Sequence, residues 1–212
     1  MKNNPYILKK EVLPVSYNLE ITPDFKGLSF HGKEEIEINI LKETNEIILN
    51  ASELKILKAS LKQKEDCVVK KINYNEKYGI ISFVFKNKLK KGRATLKLEY
   101  NGKINDKLRG FYKSVYNDKG KEKIMLTTQF ESTDARRAFP CFDEPELKAK
   151  FNISLIIPDN LDAISNMPVK NESMINNKRK ITFQETPVMS TYLVAFVIGE
   201  FEYLEGKTKN NV

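Results

Sequence analysis

The sequence predicts an all-β, mainly antiparallel fold, and three observations carry that prediction. Apolar and polar residues alternate with period 2 through the first half of the chain. Turn signals interrupt the alternation at short intervals. No stretch sustains a helical period, so an antiparallel sheet or sandwich is expected.

The predicted strands follow in order. Residues 15–21 form the first candidate. In 34–41, Ile36, Ile38 and Ile40 point one way while Glu35, Glu37 and Asn39 point the other. Residues 47–49, 56–61 and 68–74 come next, then the alternating sets Ile81, Phe83, Phe85 and Ala94, Leu96, Leu98, Tyr100. Turns are expected at Pro23-Asp24, Lys26-Gly27, Tyr78-Gly79, Asn101-Gly102 and Lys91-Gly92, the last read as a hairpin. Residues 112–116 and 123–130 flank Asn117-Asp118-Lys119-Gly120, a good hairpin sequence. Residues 151–157 alternate and stop at Pro158; 180–184 and 192–201 are the last candidates, with Gly199 marking a bulge or an end. A single domain over 1–205 is expected, in two packed sheets, with 206–212 a polar, frayed tail.

Composition bounds the function classes. The chain has 212 residues, 41% hydrophobic and 30% charged, as a globular protein does and a disordered one does not. No window approaches the ~18 consecutive apolar residues of a membrane span. The N-terminal run has no apolar core and no small-residue cleavage site, so no secretory signal is expected. The two cysteines, Cys67 and Cys141, read as reduced thiols in a cytoplasmic protein. The net charge of +8 raises the possibility of nucleic acid. However, the lysines are interleaved with glutamates, as in Lys33-Glu34-Glu35, and the densest basic run, 86–93, crosses an expected turn. Aromatic–basic strand signals are missing, and neither nucleic acid nor membrane is expected as a partner.

The segment 127–151, TTQFESTDARRAFPCFDEPELKAKF, concentrates polar groups where a strand would alternate. If the strand continued, Thr127, Gln129 and Glu131 would share one face and Thr128, Phe130 and Ser132 the other. A glutamine and a carboxylate at a strand end can hold an ammonium group. Spacing alone favours the plainer reading, a solvated polar pair. Thr133 or Asp134 can cap a short helical turn through Arg136 and Phe139, ended by Pro140. Arg136 and Arg137 could bind a carboxylate ligand but are expected to pair with Asp143 or Glu144. Phe139 and Phe142 are expected core anchors, and Cys141 a buried, inert thiol. Asp143 and Glu144 could suggest a metal or a carboxylate pair, but a capping box between Asp143 and Glu146 is the favoured reading. His31 is read as a strand residue and not a metal ligand.

Taken whole, the segment resembles the TQFE-x-TDARRAFPCFDEP signature of the N-terminal β-domain of M1-family (gluzincin) zinc aminopeptidases, including the archaeal tricorn protease-interacting factors. LPVSYNL at 13–19, AISNMP at 163–168 and MSTYLVAF at 189–196 match in the same order. The resemblance implies a saddle-like, two-sheet β-domain packed on a zinc catalytic domain of the same polypeptide. It implies that Gln129 and Glu131 line the S1 side of the cleft and that Glu131 helps bind the α-amine of a peptide substrate. This reverses the reading from spacing.

The H-E-x-x-H zinc motif and the G-x-M-E-N motif of the family are not in this chain, whose one histidine is His31. The expectation is therefore a substrate-recognition domain with no catalytic residue and no bound cofactor, inactive alone, with zinc in the absent catalytic domain. The alternative is a stand-alone, non-catalytic interaction module, for which the face that would meet a zinc domain should be polar or should mediate an oligomer, whereas an exposed apolar patch there would favour a severed domain.

Overall fold

The computed structural model describes residues 7–202, 204 and 206, so most of the expected tail at 206–212 lies outside the described residues. The strands are β1 (Val12–Asp24), β2 (Ser29–Ile40), β3 (Thr44–Asn50), β4 (Leu54–Lys62), β5 (Asp66–Cys67), β6 (Val69–Asn75), β7 (Ile80–Leu89) and β8 (Gly92–Lys103). They continue as β9 (Gly110–Asp118), β10 (Lys121–Gln129), β11 (Lys150–Pro158), β12 (Asp162–Ser165), β13 (Val169–Ile175), β14 (Lys178–Phe183) and β15 (Phe196–Gly199). Two single turns of 3-10 helix, Ala135–Arg137 and Thr191–Leu193, are the helical content among the described residues. The all-β, mainly antiparallel prediction holds.

An eight-stranded sheet runs β13-β14-β11-β1-β2-β8-β4-β5, beside a four-stranded sheet β12-β15-β10-β9 and a three-stranded sheet β3-β7-β6. Every pairing is antiparallel except β1 with β11. Three sheets replace the two expected. The reason lies at Lys91-Gly92, which is no hairpin: β7 belongs to the three-stranded sheet and β8 to the large one. Both strands carry one apolar face, so alternation alone cannot distinguish pairing side by side from packing face to face. Gly92 makes the crossing at φ +122°, a backbone region open to glycine.

Asn101-Gly102 is likewise no turn but part of β8. In the register of β2 and β8, Phe30 lies opposite Gly102 and Tyr100 opposite Gly32. A Cβ on either glycine would meet the facing ring at 2.3 Å, so each ring uses the space its glycine leaves. The sequence prediction also passed over β12 and β13. Every residue of β13 is exposed, so it has no apolar period to detect. Its turn went unread as well: Asn176-Asn177, both at positive φ, make the two-residue connection to β14.

The inner face of the large sheet supplies Tyr17, Leu19, Ile21, Ile36, Ile38, Leu96, Leu98, Phe151, Ile153 and Leu155, all buried. Aromatic rings continue this core into the four-stranded sheet, from Phe30 to Phe111 (5.3 Å between centroids), Phe196 (5.0 Å) and Phe130 (6.4 Å). Phe139 follows at 5.9 Å, then Tyr17 at 6.1 Å, with Phe151 stacked on Tyr17 at 4.9 Å. Burying each such ring is worth about 1.5–3 kcal/mol, and edge contacts add about 0.5–1.5 kcal/mol.

The outer face of the large sheet holds a hollow of about 650 Å³. One straight row across it reads Thr182, Ser154, Glu20, Lys33, Glu99, Lys58. Ion pairs neutralise much of this face: Lys180–Glu20 at 2.6 Å, Lys97–Glu35 at 2.6 Å and Lys58–Glu99 at 3.0 Å. The interleaving of lysine and glutamate is thus a cross-strand charge ladder. Glu34 is the exception: expected among the interleaved surface charges, it faces inward and is 2% exposed.

Candidate functional site

Strand β10 delivers the candidate site. It pairs with β9 from end to end and with β15 at Leu126 and Thr127. Thr128 ties its inner side to Phe196, its hydroxyl donating to the carbonyl at 3.3 Å and accepting from the N–H at 3.0 Å. Gln129 is the last strand residue, opposite Gly110, and its side chain is exposed. Phe130 turns inward and is 1% exposed.

There the alternation ends. Glu131 and Ser132 lie in a turn, both exposed, joined by a cis peptide bond. Thr127 and Gln129 therefore share a strand face, whereas Glu131 reaches the surface from the turn beyond it. Ser132 does not follow Phe130 inward, which corrects the face assignment made by spacing.

The rest of the segment is held by its charges. Arg136 Nε donates to Asp143 Oδ2 at 2.8 Å, the Arg136 N–H to the same oxygen at 3.3 Å, and the guanidinium to the Asp143 carbonyl at 3.2 Å. Thr191 Oγ1 donates to Asp143 Oδ1 at 2.7 Å, and the Asp143 N–H to Asn50 Oδ1 at 3.0 Å. Asp143 is 2% exposed and fully engaged. The expected pairing of Arg136 with Asp143 holds.

Arg137 instead joins Asp134 at 2.6 Å and Glu53 at 2.5 Å. Its side chain lies against Gly110, where a Cβ would come within 2.9 Å of Arg137 Cβ. Asp134 stands at the start of the Ala135–Arg137 turn but makes no side-chain cap. Arg137 takes its carboxylate, so the capping role read for it does not form. The capping box of Asp143 with Glu146 does not form either: Arg136 and Thr191 hold Asp143, and Lys10 pairs with Glu146 at 2.8 Å. Glu144 accepts the Leu8 N–H.

Phe139 and Cys141 are 0% exposed and Phe142 1%, as anchors of the segment. The Cys141 and Asn50 backbones exchange both hydrogen bonds, at 2.7 and 3.0 Å. Burial raises the Cys141 thiol well above its ordinary pKa, and Asp143 adds to the rise; the thiol is inert. Cys67 is also free.

Of the acids in the segment, Asp134, Asp143, Glu144 and Glu146 are all engaged. Glu131 has no hydrogen bond or ion pair with any described residue, and the Gln129 side chain has none. The outer sheet face that ends in Gln129 continues through Thr127, paired with Val197, which in turn pairs with Ile164. Ile164 is 53% exposed, and nearby Leu193 is 48% exposed. The rim thus combines a free carboxylate and amide with uncovered apolar side chains.

Asn50 and Thr191 were missed as supports of Asp143. Thr191 stands in the recognised 189–196 stretch, but nothing local marks Asn50, whose partner is 93 residues away. His31 sits in β2 and shares a 3.0 Å hydrogen bond with Asn101. Among the described residues no three His, Cys, Asp or Glu side chains come together as a metal site, so the residues present do not fit zinc. No helix of the described residues is long and apolar enough to cross a membrane.

Comparison with known proteins extends these observations to the whole chain. The model of the Peptidase M1 N-terminal domain matches residues 13–193. The chain is 40% identical to Aminopeptidase M1 of Arabidopsis thaliana over 97% of its own length and 24% of the relative's. It is 42% identical to mitochondrial Aminopeptidase 2 of Saccharomyces cerevisiae over 96% of its length and 22% of the relative's. Puromycin-sensitive aminopeptidase of Caenorhabditis elegans is 40% identical, over 94% and 22%. The chain spans less than a quarter of the length of these curated relatives. With the match running from β1 through the second 3-10 turn and covering the whole 127–151 segment, the chain belongs to the Peptidase M1 N-terminal domain family.

Proposed function

We propose that this chain is the substrate-recognition domain of a zinc-dependent M1 aminopeptidase, acting beside a zinc catalytic domain of the same polypeptide in the cytoplasm. Gln129 and Glu131 line the S1 side of the cleft, and Glu131 binds the α-amine of the peptide. The observation that carries this reading is the state of Glu131: exposed and without a partner among the described residues, in a segment whose other acids are all engaged. A substrate ammonium brings the charge that this carboxylate lacks. It is largely protonated at neutral pH, with a pKa of about 8. An internal peptide bond brings no such charge, which makes Glu131 a selector for chain ends.

The exposed Ile164, on the sheet face that ends in Gln129, and Leu193 favour a covering domain over a stand-alone module with a polar face there. Zinc and the water-activating groups belong to that covering domain, and no step of the chemistry falls to residues of this chain. In the whole enzyme, Glu131→Ala is expected to lower kcat/KM on peptide substrates by about 1.5–3 kcal/mol, roughly 10- to 150-fold. An unchanged kcat/KM would remove Glu131 from the site.

A further inference from the structure

The core of the large sheet contains a carboxylate with nothing to hold it. Glu34 occupies an inward position of β2, between Gly32 and Ile36, where alternation demands an apolar residue. Its cross-strand neighbours are Leu19 of β1 and Leu98 of β8, both 2% exposed. Among the described residues neither carboxyl oxygen has a hydrogen-bond partner, and the nearby Tyr100 hydroxyl has none. A charged carboxylate so placed would carry a desolvation cost of several kcal/mol with no compensating donor.

The ionisable groups around it offer no relief. On the diagonals stand Tyr17 of β1, opposite Ile36, and Tyr100 of β8, opposite Gly32. From the 127–151 segment come Cys141 and Asp143, and Asp143 is already neutralised by Arg136. Among the described residues no free cation faces Glu34. Burial pushes the Glu34 carboxyl well above the usual carboxylate range, and it raises Tyr17, Tyr100 and Cys141 in the same direction.

We infer that Glu34 is a pH-sensitive element of the domain: a neutral carboxylic acid in the folded core, whose loss of a proton opposes the packing of β1, β2 and β8 under the 127–151 segment. The connection to that segment is short. The Tyr17 hydroxyl beside Glu34 accepts the Phe142 N–H at 3.1 Å, and Phe142 adjoins the buried Cys141 and Asp143. Strain at Glu34 therefore falls on the groups that anchor the segment carrying Glu131.

The direction of the pH effect follows from linkage. Below the ordinary glutamate pKa of about 4.3, folded and unfolded chains both hold the proton and Glu34 has no pH effect. Above it the unfolded chain releases the proton and the folded chain keeps it, so stability falls as pH rises until the folded value is reached. One proton at full linkage changes the folding constant tenfold per pH unit. Between about pH 5 and 8 the thiol and the phenols, which ordinarily titrate at about 8.5 and 10, contribute little, and groups common to the parent and a Glu34 variant cancel when the two are compared.

The test compares denaturant unfolding of the full chain and of Glu34→Gln, which keeps the shape and cannot ionise. The ratio of the two folding constants is expected to shift towards Glu34→Gln by up to tenfold per pH unit between pH 5 and 8. A second measurement on the folded chains is the infrared carbonyl band of a protonated carboxylic acid, expected at neutral pH in the parent and lost in Glu34→Gln. Parallel stability curves for the two proteins, or the absence of that band, would overturn the inference.

Discussion

Asp143 and Glu131 are twelve residues apart in one segment and have opposite fates. Asp143 is buried at 2% exposure and takes hydrogen bonds from Arg136 and Thr191. Glu131 is exposed in a turn and takes none from the described residues. The difference separates two tasks within one sequence signature. The Asp143 end fastens the segment to the core, and the Glu131 end leaves a charge uncommitted, available to a ligand. Their chemistry is the same; their surroundings divide the roles.

Breaking the Asp143 end should have the larger effect. Asp143→Ala strips the partner from Arg136, whose side chain is only 17% exposed. Removing one member of a buried pair costs about 3–5 kcal/mol, so thermal or denaturant unfolding of the chain should register a loss of that size. Thr191→Val keeps the ion pair and removes one hydrogen bond to a charged group, for an expected loss of about 1.5–3 kcal/mol in the same measurement. Glu131→Ala should leave the unfolding midpoint close to the parent, within about 0.5 kcal/mol, because nothing in the fold leans on it. A stability loss at Glu131 comparable to that at Asp143 would dissolve the distinction.

Glu34 sharpens the comparison by combining burial with the lack of a partner. Asp143 shows what a buried carboxylate needs in order to stay charged. Glu34 has none of it, and neutrality is its remaining route to burial.

Much of the fold was legible because alternation is a direct record of a half-buried sheet. Ile36, Ile38 and Ile40 face the core as read. Position 34, on the same face, was obscured by its charge: residue type suggested solvent where parity placed it in the core. The crossing at Gly92 was read as a hairpin because glycine marks a turn without saying which sheets it joins. Strand β13 shows no apolar alternation, since both its faces are wet.

At the candidate site, Gln129 was legible as a strand-end residue and Arg136 as the partner of Asp143. The position of Glu131 in a turn was not, because the strand pattern runs on in the sequence past the point where the backbone leaves the sheet. The ligands of Asp143 were hidden for another reason: Asn50 and Thr191 reach it from distant parts of the chain, and only the folded register brings them together.

The most direct test of the proposed role of Glu131 uses two matched peptide inhibitors of the whole enzyme, one with a free α-amine and one lacking it. The parent enzyme should prefer the amine by roughly 10- to 150-fold, the equivalent of one charge-assisted hydrogen bond. Glu131→Ala should lose that preference while binding the amine-free inhibitor as the parent does. A preference for the amine that survives the substitution undiminished would contradict the account.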